Sequence, residues 1–129
     1  LDGNNEEKIT TFARNNNTDL KYNLTNTEYD KIFKESIIFL DLFDSSANNV
    51  VLECIRNNTP LLVRKHPACV EYLGNNYPFY FNTINEANTK CNDKKLILKT
   101  YLYLKNMDKS IFSYETYNNL FYNKIMSIL

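Results

Sequence analysis

Two short stretches hold the residues able to handle a phosphorylated ligand. The first reads DSSANNVVLECIRNNTPLLV, residues 44–63. Ser45, Ser46, Ala47, Asn48 and Asn49 stand where an apolar helix begins, with Glu53 about two turns into it. A helix start presents unpaired N–H groups and the positive dipole end, so this run can cap the helix, hold a phosphate, or do both. Helical side chains lean back towards the N-terminus, which lets Glu53 accept hydrogen bonds from a sugar's paired hydroxyls. The second stretch, RKHPACVEYLG, supplies Arg64, Lys65 and His66 behind an apolar run, and Glu71 further on. Its cations suit an anionic ligand. Each residue also has a plainer reading: Ser45, Ser46 and Asn48 as caps, Glu53 and Glu71 as solvated helix positions, Arg64 and Lys65 as surface charges, His66 as a turn residue before Pro67. Asp41 and Asp44, near the end of a strand, hint at acid–base work, with Asp44 read as a capping or loop group.

The elements that must position these groups follow from hydrophobic spacing. Residues 1–19 are polar and read as a linker or the remnant of a preceding helix around 6–14. LKYNL (20–24) alternates like a short strand. Thr25, Asn26 or Thr27 caps a helix through Ile32 and Phe33, with Tyr29 on the same face. SIIFLDL (36–42) is continuously apolar, as in a strand covered on both faces. A helix over about 47–56 carries Ala47, Val50, Val51, Cys54 and Ile55 on one side. TPLLV (59–63) is the next strand, residues 68–73 a short helix ended by Gly74, and YPFYF (77–81) a fourth strand, at an edge or with Pro78 near its start. Residues 94–107 and 114–129 read as helices. The last carries Tyr114, Tyr117, Leu120, Phe121, Ile125 and Ile128 as a core stripe. Strands alternating with helices predict an α/β protein with a Rossmann-like parallel sheet, flanking helices and right-handed crossovers. Ligands of such sheets bind outside the carboxyl ends of the strands, where both stretches fall.

Composition narrows the classes. The 129 residues suit one domain of modest core. Fifteen basic and fifteen acidic residues give zero net charge, with no basic stripe for nucleic acid or a membrane surface. No apolar run approaches the roughly 18 residues of a membrane helix. Cys54, Cys69 and Cys91 are odd in number and lack C-x-x-C spacing, which suits free thiols in a reducing, cytoplasmic setting. Cys54 falls on the apolar helix face. His66 is the single histidine and only Cys69 is a thiol near it in sequence, so no metal site is expected.

SSANNVVLECIRNNTPLLVRKHPACVEYLG resembles the donor-binding half of two-domain, GT-B type glycosyltransferases, including those of large DNA viruses. The order of polar loop, Leu-Glu-containing helix, Asn-Thr-Pro turn, apolar strand and loop with a further glutamate is what carries the likeness, over about residues 20–129. The family's retaining members often have two glutamates separated by seven residues. Glu53 matches the second, which implies a contact with the nucleotide ribose; Ser45 stands in the place of the first. Glu71 matches the glutamate of the following segment, and FSYETYNNLFYNKIMSIL resembles the family's last helix. The resemblance implies an incomplete GT-B C-terminal domain ending in two helices, over residues 20–129, that binds a nucleotide-sugar without a metal or other cofactor. Its partners would be that donor and the N-terminal acceptor-binding half of a longer enzyme, in the cytoplasm, the host's if the source is viral. The earlier strands, the Gly-rich loop and the basic residue that such a domain sets against the diphosphate have no counterpart in residues 1–19. The rival readings are a non-catalytic α/β interaction module and a receiver-type phosphate-binding domain.

Overall fold

A computed structural model of the chain describes residues 7, 8, 10, 11, 14, 15, 17–41 and 48–129, without the side chains of residues 48, 111 and 114–117. The chain divides into two units, Leu1–Lys31 and Ile32–Leu129. In the first, Glu7, Lys8, Thr10, Thr11, Arg14 and Asn15 are helical. Residues 20–24 are not a strand. Asn23 takes a left-handed φ of 50°, which breaks an extended run, and the apolar Leu20 and Tyr22 stay exposed.

Helix α1 (Asn26–Glu35) starts where a capping residue was expected. The Thr25 N–H and hydroxyl donate to Glu28 Oε2 at 2.8 and 3.0 Å, and the Glu28 N–H donates back to Thr25 Oγ1 at 3.2 Å. This reciprocal box satisfies two free N–H groups of the helix start. The Thr25 N–H, with the hydroxyl beside it, holds the Glu28 carboxyl below its ordinary range.

The second unit is α/β. Strands β1 (Ile38–Leu40), β2 (Leu61–Arg64) and β3 (Tyr80–Phe81) form a parallel sheet in that order. Ile38 pairs with Leu61 and Leu40 with Val63; Val63 pairs with Tyr80 and Arg64 with Phe81. Helix α2 (Asn48–Asn57) joins β1 to β2, α3 (Pro67–Leu73) joins β2 to β3, and the two helices pack together. Helix α4 (Ile84–Cys91) lies against β2 and β3, followed by α5 (Lys94–Asn106) and α6 (Tyr114–Ile128).

The core draws on both helix and strand periodicity. Val51, Cys54 and Ile55 of α2 meet Leu61, Leu62 and Val63 of β2, Leu73 of α3, and Phe79 and Phe81. Three successive buried residues mark β2 as covered on both faces. The same expectation fails for β1, where Phe39 is 52% exposed. It stacks on Phe81, centroids 5.4 Å apart, and edges an open apolar groove of about 240 Å³ lined by Ile37, Phe39, Leu62, Ile84, Ala87, Asn88 and Cys91.

Among the described residues the buried polar side-chain atoms are paired. The Tyr77 hydroxyl accepts from the Leu61 N–H at 2.9 Å and donates to the Leu61 carbonyl at 2.7 Å. Thr59 Oγ1 donates to the Phe33 carbonyl, and Thr100 Oγ1 to that of Leu96. Burial pushes the Tyr77 and Tyr80 phenols up, and the Cys54 thiol up to about 12. Gly74 ends α3 with φ 85°, and a Cβ there would sit 2.9 Å from the Tyr103 hydroxyl, which donates to the Leu73 carbonyl. Only glycine meets both demands.

Two helices also depart from what the sequence predicts. Helix α4 is additional. Thr83 caps it by accepting the Glu86 N–H at 3.2 Å, and Glu86 accepts the Asn82 N–H at 2.9 Å. Helix α6 forms as expected, but Leu120, Phe121, Ile125 and Ile128 of its stripe are exposed and not core, while the side chains of Tyr114 and Tyr117 lie outside the described residues. Among the described residues no helix is long and apolar enough to cross a membrane.

Candidate functional site at the strand ends

The carboxyl ends of the three strands lead to Asp41, to Lys65 and His66, and to Asn82. Arg64, the last residue of β2, gathers them. Its Nε–H and Nη2–H donate to the two oxygens of Asp41 at 2.5 and 3.1 Å. Its Nη1–H donates to the Asn82 carbonyl at 2.8 Å. The guanidinium carbon lies 5.2 Å from the centre of the Phe81 ring. The geometry follows from the register: Asp41 succeeds Leu40, which pairs with Val63, so Asp41 and Arg64 face each other across neighbouring strands. The side chains of Arg64 and Asp41 remain 25% and 21% exposed. The Arg64 hydrogen bonds hold the Asp41 carboxyl below its ordinary range and raise the guanidinium.

Lys65 and His66 stand next to this pair. The Lys65 N–H donates to the Phe81 carbonyl at 3.0 Å, which continues the ladder one residue beyond β2. Its exposed side chain carries the ammonium 5.8 Å from the centre of the Tyr80 ring. His66 caps α3 in an extended conformation, φ −125° and ψ 142°. Its Nδ1 accepts the Ala68 N–H at 3.2 Å, and its carbonyl accepts from Cys69 and Val70. The sequence reading as a turn residue before proline thus takes a specific form, a ring nitrogen acting as cap. Glu71 is exposed on α3.

On α2, Asn49 and Glu53 are four residues apart and share the face opposite Val51 and Ile55. Asn49 is exposed and Glu53 half-buried. The Glu53 carboxylate accepts from Asn57 Nδ2 at 3.4 Å, one turn towards the C-terminus, and the same amide donates to the Glu53 carbonyl at 2.9 Å. Ser45, Ser46 and Ala47 lie outside the described residues, as do Asp44 and the side chain of Asn48. Arg64, Lys65 and His66 are therefore together at one strand end, while Glu53 and Glu71 are held on separate helices.

The sequence points to Asp41 for acid–base work or as the aspartate of a receiver-type domain, and not as a partner of Arg64. Its pairing with Arg64 was legible in one respect: each ends an apolar run, and parallel register sets such ends side by side. The Asn82 carbonyl leaves no trace in side-chain pattern. Among the described residues no three His, Cys, Asp or Glu side chains converge as metal ligands. No family model matches the chain, and no curated protein or solved structure does so either.

Proposed function

We propose that this chain is the donor-binding part of a GT-B type glycosyltransferase, taking a nucleotide-sugar at the carboxyl ends of β1 and β2. The observation that carries the reading is the clustering of Arg64, Lys65 and His66 at one strand end of a parallel sheet, where α/β proteins bind their ligands. The sequence resemblance over the same stretch supports it. In this reading the diphosphate rests at the start of α2, near Ala47, Asn48 and Asn49, with Ser45 and Ser46 beside it. Glu53 turns from Asn57 to the ribose hydroxyls. Arg64 and Lys65 offset the charge that develops on the departing phosphate, an electrostatic task that needs positioned cations. Glu71 and His66 border the donor from α3.

Calorimetric titration with UDP and GDP tests this. The expected outcome is saturable binding of one nucleotide that Glu53→Ala abolishes. Absence of binding at millimolar nucleotide, or binding indifferent to Glu53, would sink it. The pairing of Arg64 with Asp41 favours a second reading, an α/β interaction module without a donor site, because a neutralised arginine attracts anions weakly. Under that reading neither nucleotide binds and the Glu53→Ala protein is indistinguishable from the parent.

A further inference from the structure

Arg64 meets Asp41 through the side edge of its guanidinium, with two nearly parallel N–H···O bonds. Arginine meets two oxygens of a phosphate in the same way. We propose that Asp41 is an internal counter-anion, and that a diphosphate binds at the ends of β1 and β2 by exchanging with the Asp41 carboxylate on Arg64. The proposal rests on the donor-site reading above and names the regulation of that site.

Three features make the exchange feasible. The first is that Arg64 has anchors besides Asp41. The Asn82 carbonyl holds Nη1, and the face of Phe81 supports the guanidinium plane. Phe81 is itself fixed, fully buried and stacked on Phe39. Loss of Asp41 therefore leaves the cation in place, so the incoming anion meets a positioned fork and not a free side chain. The second is that the pair is partly exposed, so the released carboxylate regains water without a buried charge being left behind. The third is charge. Asp41 offsets the charge of Arg64, and a singly charged anion gains little by replacing a carboxylate of equal charge. A diphosphate brings more charge and paired oxygens, and Lys65 lies next along the chain to share it. The device would thus favour diphosphates over carboxylates and chloride.

The test uses the whole chain with inorganic pyrophosphate as probe, at low ionic strength. Asp41→Asn should bind pyrophosphate about tenfold more tightly than the parent, since a competitor of net charge −1 is gone. Arg64→Gln should lose most of the binding. Because either substitution can loosen the strand ends, the parent protein supplies an independent readout. On saturation with pyrophosphate, the Asp41 carboxyl carbon resonance should move to that of a free carboxylate while the amides of β2 and β3 keep their dispersion.

An Asp41→Asn protein that binds pyrophosphate equally or more weakly would overturn the exchange and make Asp41 a positioning residue for Arg64. An Asp41 resonance that stays put in the saturated parent would overturn it too, as would no binding by either form. Failure of the donor reading has a different signature. There, Asp41→Asn tightens pyrophosphate but UDP and GDP bind no better than pyrophosphate and ignore Glu53→Ala. Conversely, Glu53-dependent nucleotide binding without an Asp41→Asn effect leaves the donor reading standing and removes the exchange.

Discussion

Helices α2 and α6 both carry apolar side chains at three- and four-residue spacing, yet their surroundings are opposite. In α2, Val51, Cys54 and Ile55 are buried; in α6, Leu120 is 62% exposed, Phe121 55% and Ile128 74%. The patterns alone do not separate them. What separates them is the neighbouring chain. Helix α2 is bracketed by β1 and β2, which pair with each other and bring an apolar sheet surface to its inner face. Helix α6 follows the short turn Ser110–Phe112, its chief neighbour in the fold. Periodicity specifies a face; a covering surface has to come from elsewhere.

Removing one aromatic ring from the core and one from α6 separates the two environments. Phe79 is fully buried beside β2, and Phe79→Ala should cost about 3–5 kcal/mol, the usual range for deleting a core ring. Urea unfolding followed by far-UV circular dichroism measures it. A loss below about 1 kcal/mol would mean that this core tolerates a cavity that close-packed interiors do not. A smaller loss is expected from the buried phenol of Tyr77. Tyr77→Phe keeps the ring but removes the hydroxyl that serves both polar groups of Leu61, and should cost about 1–3 kcal/mol in the same assay. The smallest effect is expected on α6, where Tyr122, 63% exposed, should lose no more than about 0.5 kcal/mol on Tyr122→Ala. A Tyr122→Ala loss approaching that of Phe79→Ala would show that α6 is covered in solution.

The same contrast explains what the sequence disclosed. The run from β1 through α3 was legible because its apolar segments are punctuated by Asn57, Asn58, Pro60 and Gly74, and because β2 is apolar at each buried position. Helix α4 escaped notice because INEANTKC offers only Ile84, Ala87 and Cys91 as apolar spacing; the Thr83–Glu86 capping pair was the available signal. LKYNL misled because alternation over five residues needs a partner strand to mean anything, and Asn23 turns the chain instead. SIIFLDL has the composition of a strand covered on both sides, but β1 leaves Phe39 at an open groove. At the site, the residue types at the end of β2 were readable, while the bond from Arg64 to Asp41 depends on strand register and that to Asn82 on a backbone carbonyl.

The Tyr77 hydroxyl has a consequence for how the sheet finds its alignment. Strand β3 is two residues long, too short to choose its own offset against β2. The phenol reaches Leu61 from three residues ahead of β3 and closes a rung that no backbone group closes. A slip of one residue would carry Leu61 away from that oxygen, strand two polar groups away from water, and turn Phe79 and Phe81 towards the wrong face. Tyr77 thus acts as a gauge: it fits one alignment of β2 with β3 and makes the neighbouring ones expensive.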